Sequence, residues 1–137
     1  MSYRDIVRAQ LRVDEGVKNK LYRDTVGKWT VGVGHNIEDR GLRPDEIALI
    51  LENDINDAEA DARALFPNFD ALSETRQAVV VNLAFALGRD KLTLFRKFRK
   101  AVTAEDFDSA YVELISSQWA DQVGVRATRL AKQMKDG

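Results

Sequence analysis

The stretch LRVDEGVKNKLYRDTVGKWTVGVGH, Leu11–His35, decides how the first part of this chain folds. Apolar side chains recur at helical spacing from the start of the chain into the first residues of this stretch. Gly16 then supplies the positive φ that commonly ends a helix. Two runs rich in β-branched and aromatic side chains follow, at residues 20–24 and 28–34, and a glycine-containing turn separates them. The pattern therefore predicts a helix that ends near Glu15, with a β-hairpin directly after it.

The composition of the chain fits one globular domain. Its 137 residues are 45% hydrophobic and 31% charged, so the chain can bury a core of useful size. It contains no cysteine and a single histidine, His35, so a zinc site would have to consist almost wholly of carboxylates, and we predict no metal and no cofactor. We see no secretory signal, and the longest apolar run, residues 79–87, is too short to span a membrane.

The pattern of the remaining residues predicts a series of helices. Pro44 suits the first position of a helix that runs to about residue 65, and Ser73 suits the N-cap of a helix that ends at Leu87 before Gly88. Three further helical patterns cover residues 92–102, 104–115 and 123–135.

These elements predict an α+β fold that is mainly helical. We expect a single domain over residues 1–137, with a small helix and β-hairpin lobe at about residues 15–43. A connecting helix at about residues 44–65 should join it to a helical lobe at about residues 66–137, which also includes the N-terminal helix.

Glu15 stands at an unusual place for a carboxylate. The negative end of the helix dipole disfavours a negative charge in the last turn by about 0.3–1 kcal/mol. This environment suits a general acid, which must hold its proton until it is needed. The alternative is a solvated glutamate at a fraying helix end, which is the commoner case for a glutamate taken alone.

Asp24 closes the first predicted strand, and two carboxylates in unequal environments are what glycosidic-bond hydrolysis requires. The alternative is an aspartate that favours the turn by bonding its own backbone. Gly32 and Gly34 are costly inside a strand unless a group approaches the backbone closely, and a sugar ring or a bulge would each explain them.

The segment LFRKFRKAV, residues 94–102, combines aromatic and basic side chains. Its apolar residues share one helical face and its charges the other, which favours an ordinary amphipathic helix over contact with an anionic polymer or membrane. The acidic excess of residues 38–74 would direct any polyanion to the flanking segments.

The spacing of Glu15, Asp24 and Thr30, inside DEGxxxxxYxDTxGxWTxGxGH, resembles the active-site signature of the T-even phage lysozyme (endolysin) family, glycoside hydrolase family 24. Two later segments are similar to further motifs of that family: NLAFALG (Asn82–Gly88) and QWADQVGVRATR (Gln118–Arg129). The resemblance covers nearly the whole chain in order and implies a lysozyme-like fold.

The resemblance also implies a mechanism. Glu15 would be the general acid, and Asp24 with Thr30 would position the water that cleaves the β-1,4 bond between N-acetylmuramic acid and N-acetylglucosamine, with inversion. The intact Asp24 and Thr30 favour a hydrolase over a lytic transglycosylase, and a non-catalytic wall-binding or structural module is the third alternative.

Supporting residues are implied by the same resemblance. Arg126 matches an arginine that contacts the catalytic glutamate, and His35 matches a histidine paired with an aspartate on the connecting helix, for which we expect Asp54. Ala86 departs from the family, because larger members carry a polar residue there. The other residues assigned to substrate binding or support are Gly32, Gly34, Phe85 and Gln122.

The implied partner is bacterial peptidoglycan, with no nucleic acid and no stable membrane anchor, and we expect a monomer. A free endolysin of this kind would wait in the host cytoplasm until a holin releases it to the wall in the periplasm. A virion-associated lytic domain is the alternative.

Overall fold

A computed structural model describes residues 1–137 and divides the chain into two compact units, Met1–Leu49 and Ile50–Gly137. Eight helices and a three-stranded antiparallel sheet make up the fold, so the prediction of a mainly helical α+β protein is confirmed. The predicted arrangement of the lobes within a single domain stays a prediction.

Helix α1, Tyr3–Glu15, ends where the sequence predicts. Ser2 caps its start, because the Ser2 hydroxyl accepts from the Asp5 amide and the Asp5 carboxylate accepts from the Ser2 amide, each at 3.2 Å. At its end, Gly16 adopts a φ of 73° and its amide donates to Arg12 O. Glu15 is therefore the last residue of the helix.

The sheet has one strand more than the sequence predicts. Strands β1 (Lys18–Arg23), β2 (Trp29–Gly32) and β3 (His35–Asn36) pair in that order, and a short helix, α2 (Ile37–Arg40), comes next. The prediction of one strand through residue 34 is wrong. The two glycines at its end, Gly32 and Gly34, have φ values of 70° and 63°, which turn the backbone out of the extended conformation and start β3.

Helix α3, Pro44–Leu65, has the predicted bounds, and α4, Glu74–Thr93, begins after the predicted cap, with the Ser73 hydroxyl accepting from the Arg76 amide. The predicted stop at Gly88 is instead an interruption. Gly88 has φ 77° and ψ 164°, and a further helical segment continues from it to Thr93. Glycine thus breaks the helix at the predicted place without ending it.

The last four helices are α5 (Arg96–Thr103), α6 (Phe107–Ile115), α7 (Gln118–Val123) and α8 (Val125–Asp136). Helix α7 was not predicted, and α5 begins four residues later than expected. Both differences arise at irregular backbone: Gly124 has a φ of 57° between α7 and α8, and Phe95 lies outside helical conformation before α5.

The apolar core lies within the second unit. It is built from residues of α3 to α8 and the loop after α3, and Phe66 and Phe98 meet edge to face at its centre with ring centroids 6.2 Å apart. Helix α4 contributes five buried residues to this core. None of the helices combines the length and the apolar character that a membrane span requires.

Candidate active site

Glu15 and Gly34 are in direct contact in the first unit. A Cβ atom placed on Gly34 would lie 2.8 Å from Glu15 Oε2 and 3.0 Å from both Cγ and Cδ of the same side chain. Glycine at this position therefore leaves room for the glutamate, and its φ of 63° is a second reason for glycine. The group that approaches this backbone is thus the Glu15 carboxyl group, on a side chain that stays exposed to solvent.

Asp24 organises the turn between β1 and β2. Its Oδ1 accepts hydrogen bonds from the Val26 amide at 3.0 Å and the Lys28 amide at 2.8 Å, and its own amide donates to Lys28 O at 2.9 Å. The turn role considered from the sequence is therefore present. It uses one carboxylate oxygen, and Oδ2 of this half-buried residue accepts no hydrogen bond within the unit.

Thr30 is the one buried polar residue of the chain, with 2% of its surface exposed. It lies on the central strand β2, opposite Tyr22 on one side and Asn36 on the other. Its hydroxyl donates to Lys28 O at 2.9 Å. Because Lys28 also bonds to Asp24 through its amide and its carbonyl, one short backbone segment orients both predicted water-positioning residues.

The Lys28 side chain is held by the short helix α2. Its ammonium group lies 3.4 Å from a Glu38 oxygen and 3.2 Å from an Asp39 oxygen, and the Trp29 amide donates to Glu38 at 3.3 Å. Asp39, and then Glu38, raise the pKa of Lys28, while hydrogen bonds from Asn36, and then Lys28, lower the pKa of Asp39. These contacts tie the start of β2 to α2.

The sequence did not reveal this role for Lys28, Glu38 and Asp39. No local rule links a lysine in a turn to carboxylates ten residues later, because they meet only once β2, β3 and α2 have folded. The one available signal was Asn36, an N-cap residue type two residues before the first of an acidic pair, which is typical of a helix start.

His35 is half-buried on β3, and its Nε2 lies 2.7 Å from Gly41 O. Since a carbonyl oxygen can only accept, Nε2 carries the proton in this contact. Gly32, the other assigned residue of this sheet, ends β2. The proposed partner of His35, Asp54, lies exposed on α3, and the pairing stays a prediction.

In the second unit, the structure brings together two of the four supporting residues predicted there. Phe85 and Arg126 line one pocket of about 610 Å³, and Arg126 Nη2 donates to Asn82 Oδ1 at 2.7 Å. Gln122 lines a separate pocket of about 830 Å³ with Ala86, the position that departs from the family. The predicted contact between Arg126 and the glutamate stays a prediction.

The mainly helical α+β fold with its small antiparallel sheet is consistent with a lysozyme-like protein. The model of the phage lysozyme family matches residues 12–135, and the chain belongs to that family. The resemblance seen in the sequence motifs is thereby confirmed.

Individual relatives are more distant. The chain is 28% identical to the pre-baseplate central spike protein Gp5 of Enterobacteria phage T4, over 88% of this chain and 26% of that protein. It is 24% identical to the probable T4-type lysozyme 2 of Dictyostelium discoideum, over 93% of this chain and 92% of the relative. A second such protein of the same organism, probable T4-type lysozyme 1, is 22% identical over 96% of this chain. The chain thus spans about a quarter of the phage relative and nearly all of lysozyme 2.

Proposed function

We propose that this protein is a peptidoglycan hydrolase that cleaves the β-1,4 bond between N-acetylmuramic acid and N-acetylglucosamine. Glu15 acts as the general acid, and Asp24 and Thr30 position the attacking water. The observation that carries the proposal is the shared attachment of Asp24 and Thr30 to Lys28, in the compact unit where Glu15 packs on Gly34. Membership of the phage lysozyme family supports it.

The hydrogen bonds of Asp24 and Thr30 suit them to orient a water molecule. The Thr30 hydroxyl donates its proton to Lys28 O, so toward any other group it can only accept. The free Asp24 Oδ2 is also an acceptor when the carboxylate is ionised. Two acceptors take both protons of one water, which leaves an oxygen lone pair for the anomeric carbon, and Asp24 receives the proton as the bond forms.

Glu15 supplies the proton for the leaving oxygen. Its side chain is solvent-exposed, so a substrate can reach the carboxyl group, while contact with Gly34 limits the conformations of the side chain. Limiting those conformations lowers the entropic cost of placing the acid against the glycosidic oxygen. A water-attacking mechanism of this kind inverts the configuration at the anomeric carbon.

The remaining assignments belong to the same proposal. Phe85, Gln122 and Arg126 contribute to substrate binding or to support of the acid, and His35 with Asp54 supports the fold of the sheet unit. Peptidoglycan is the partner, and the protein acts as a monomer on the cell wall. The protein reaches the wall either as a free enzyme that a holin releases or as a component of the virion. The similarity to the spike protein supports the second route.

The test is to incubate the purified protein and its Glu15→Gln variant with isolated Gram-negative peptidoglycan and to identify the released ends by mass spectrometry. We expect reducing N-acetylmuramic acid ends from the unmodified protein alone, because the amide cannot protonate the leaving group. Anhydro ends would indicate a transglycosylase, and no release by either protein would indicate a binding module. The anomer first released, observed by proton NMR, tests inversion.

A further inference from the structure

Positive charge is concentrated around helix α5. Residues 89–100 contain six basic side chains and one acidic side chain, whereas the rest of the chain contains fifteen basic and twenty-one acidic residues. Five of these basic side chains are exposed, and we call four of them, Lys91, Arg96, Lys97 and Lys100, the cationic surface. A protein with net charge −1 therefore carries one strongly positive region.

The cationic surface is free of ion pairs. The salt bridges of the chain involve Arg8, Lys28 and Arg63, and none of the four residues takes part in one. Glu113 is the one carboxylate in the larger pocket that Lys91, Arg96 and Lys97 line, and it forms no salt bridge either. The neighbouring cations repel one another, so an anionic partner would relieve this repulsion.

Helix α5 already uses its apolar face for folding. Phe98, Ala101 and Val102 are 2%, 7% and 0% exposed, so the amphipathic helix predicted from the sequence is confirmed. This face cannot enter a hydrocarbon layer while the protein stays folded. Any contact made by the helix must therefore be electrostatic and peripheral.

A concave site lies beside the helix. Arg96, Arg99 and Lys100 line a pocket of about 480 Å³ that has no acidic residue in its wall. Arg99 is fixed there by donating to Thr93 O at 2.8 Å and to Leu65 O at 3.5 Å. One anchored and two exposed cations around a pocket suit a phosphate group, which offers several acceptor oxygens.

The aromatic residues of this region argue against nucleic acid as the partner. Single-stranded nucleic acids gain affinity by stacking bases on exposed aromatic rings. Phe98 is buried and Phe95 is partly buried against the core, so neither ring is freely exposed for stacking. Leu94, by contrast, is 68% exposed at the end of α4, where it can rest among lipid headgroups.

We propose that the cationic surface docks reversibly on anionic phospholipid headgroups, with a phosphate group seated between Arg96, Arg99 and Lys100. This contact would keep the protein at a bacterial membrane without an anchor. It is independent of the proposed hydrolysis, because none of the residues it uses, all on or beside α5, is assigned to catalysis or to substrate binding.

The experiment is co-sedimentation of the full chain with vesicles of phosphatidylcholine, pure or mixed in equal parts with phosphatidylglycerol. The test variant is Arg96→Gln/Lys97→Gln/Lys100→Gln, in which Arg99 is kept because it bonds to the backbone. The matched control is Arg4→Gln/Lys20→Gln/Lys132→Gln, which removes the same charge from exposed positions elsewhere. Melting curves verify that both variants fold.

We expect binding to the anionic vesicles, a loss of about a hundredfold in the test variant and a much smaller loss in the control. Raising the salt from about 0.1 M to 1 M should release the protein. Equal losses in both variants, equal binding to pure phosphatidylcholine, or no binding would overturn the proposal. So would tighter binding of a single-stranded oligonucleotide that depends on the same three residues, because the partner would then be nucleic acid.

Discussion

Residues 50–137 bury apolar side chains from six helices around Phe66, whereas the fully buried side chain of residues 1–49 is the polar Thr30. The second unit is stabilised mainly by removal of apolar surface from water, which is non-directional. The first unit instead relies on capped turns, backbone pairing and ion pairs, which fix particular atoms in particular directions. The predicted catalytic residues therefore lie in the unit that is stabilised by directional contacts and not by an apolar core.

The largest effect should come from the core of the second unit. Phe66→Ala removes a fully buried ring and leaves a cavity against Phe98, which should lower the free energy of unfolding by about 3–5 kcal/mol. Tyr3→Ala is the aromatic control from the first unit, because Tyr3 is 74% exposed. It should change the free energy of unfolding by less than about 0.5 kcal/mol. Urea titration measures both, and equal losses would remove the contrast between the units.

The next effect should be on activity. Gly34→Ala places a Cβ atom 2.8 Å from Glu15 Oε2, so the glutamate must move and turnover should fall at least about a hundredfold. Gly41→Ala is the control, because its φ of 62° is similar but nothing lies within 4 Å of the added atom. The measurement is the rate of peptidoglycan hydrolysis by both variants and by the unmodified protein. If both variants lose activity alike, backbone strain and not the Glu15 contact is responsible.

A smaller effect is expected from the ion pairs of Lys28. Lys28→Met keeps the backbone contacts to Asp24 and Thr30 but removes the bonds to Glu38 and Asp39. We expect kcat to fall severalfold while KM stays unchanged, because the water and not the sugar loses its positioning. Lys20→Met, at an exposed position of β1, should leave both constants unchanged. A rise in KM alone would assign Lys28 to substrate binding.

The smallest effect should depend on pH. The lowered pKa of Asp39 means that its ionised form stabilises the folded unit above the ordinary aspartate pKa of 3.8, and this contribution is lost as the pH falls through the folded value. The melting temperature of Asp39→Asn should therefore lie slightly below that of the unmodified protein at pH 6, and the difference should vanish near pH 2. A difference that is constant across this range would contradict the role of the charge.

Much of the fold was predictable because its signals are local. The Gly16 end of α1, the Pro44 start of α3 and the Ser73 cap of α4 each act within a few residues, and all three were correct. Errors fell at Gly32, Gly34 and Gly124, where positive φ values start a third strand or separate two helices, and also at Gly88 and at Phe95 before α5. A glycine signals a break in the sequence, but the type of element after the break depends on later residues.

By itself, the sequence determined the α+β class, the main helices and the family, and it predicted Glu15, Asp24 and Thr30 as catalytic residues, because periodicity, capping and motif spacing are properties of neighbouring residues. Only the tertiary structure decided that Gly34 faces the Glu15 carboxyl group and that Glu38 and Asp39 hold Lys28. These contacts join residues that are distant along the chain, and they form only after folding has overcome the entropy cost of bringing the segments together.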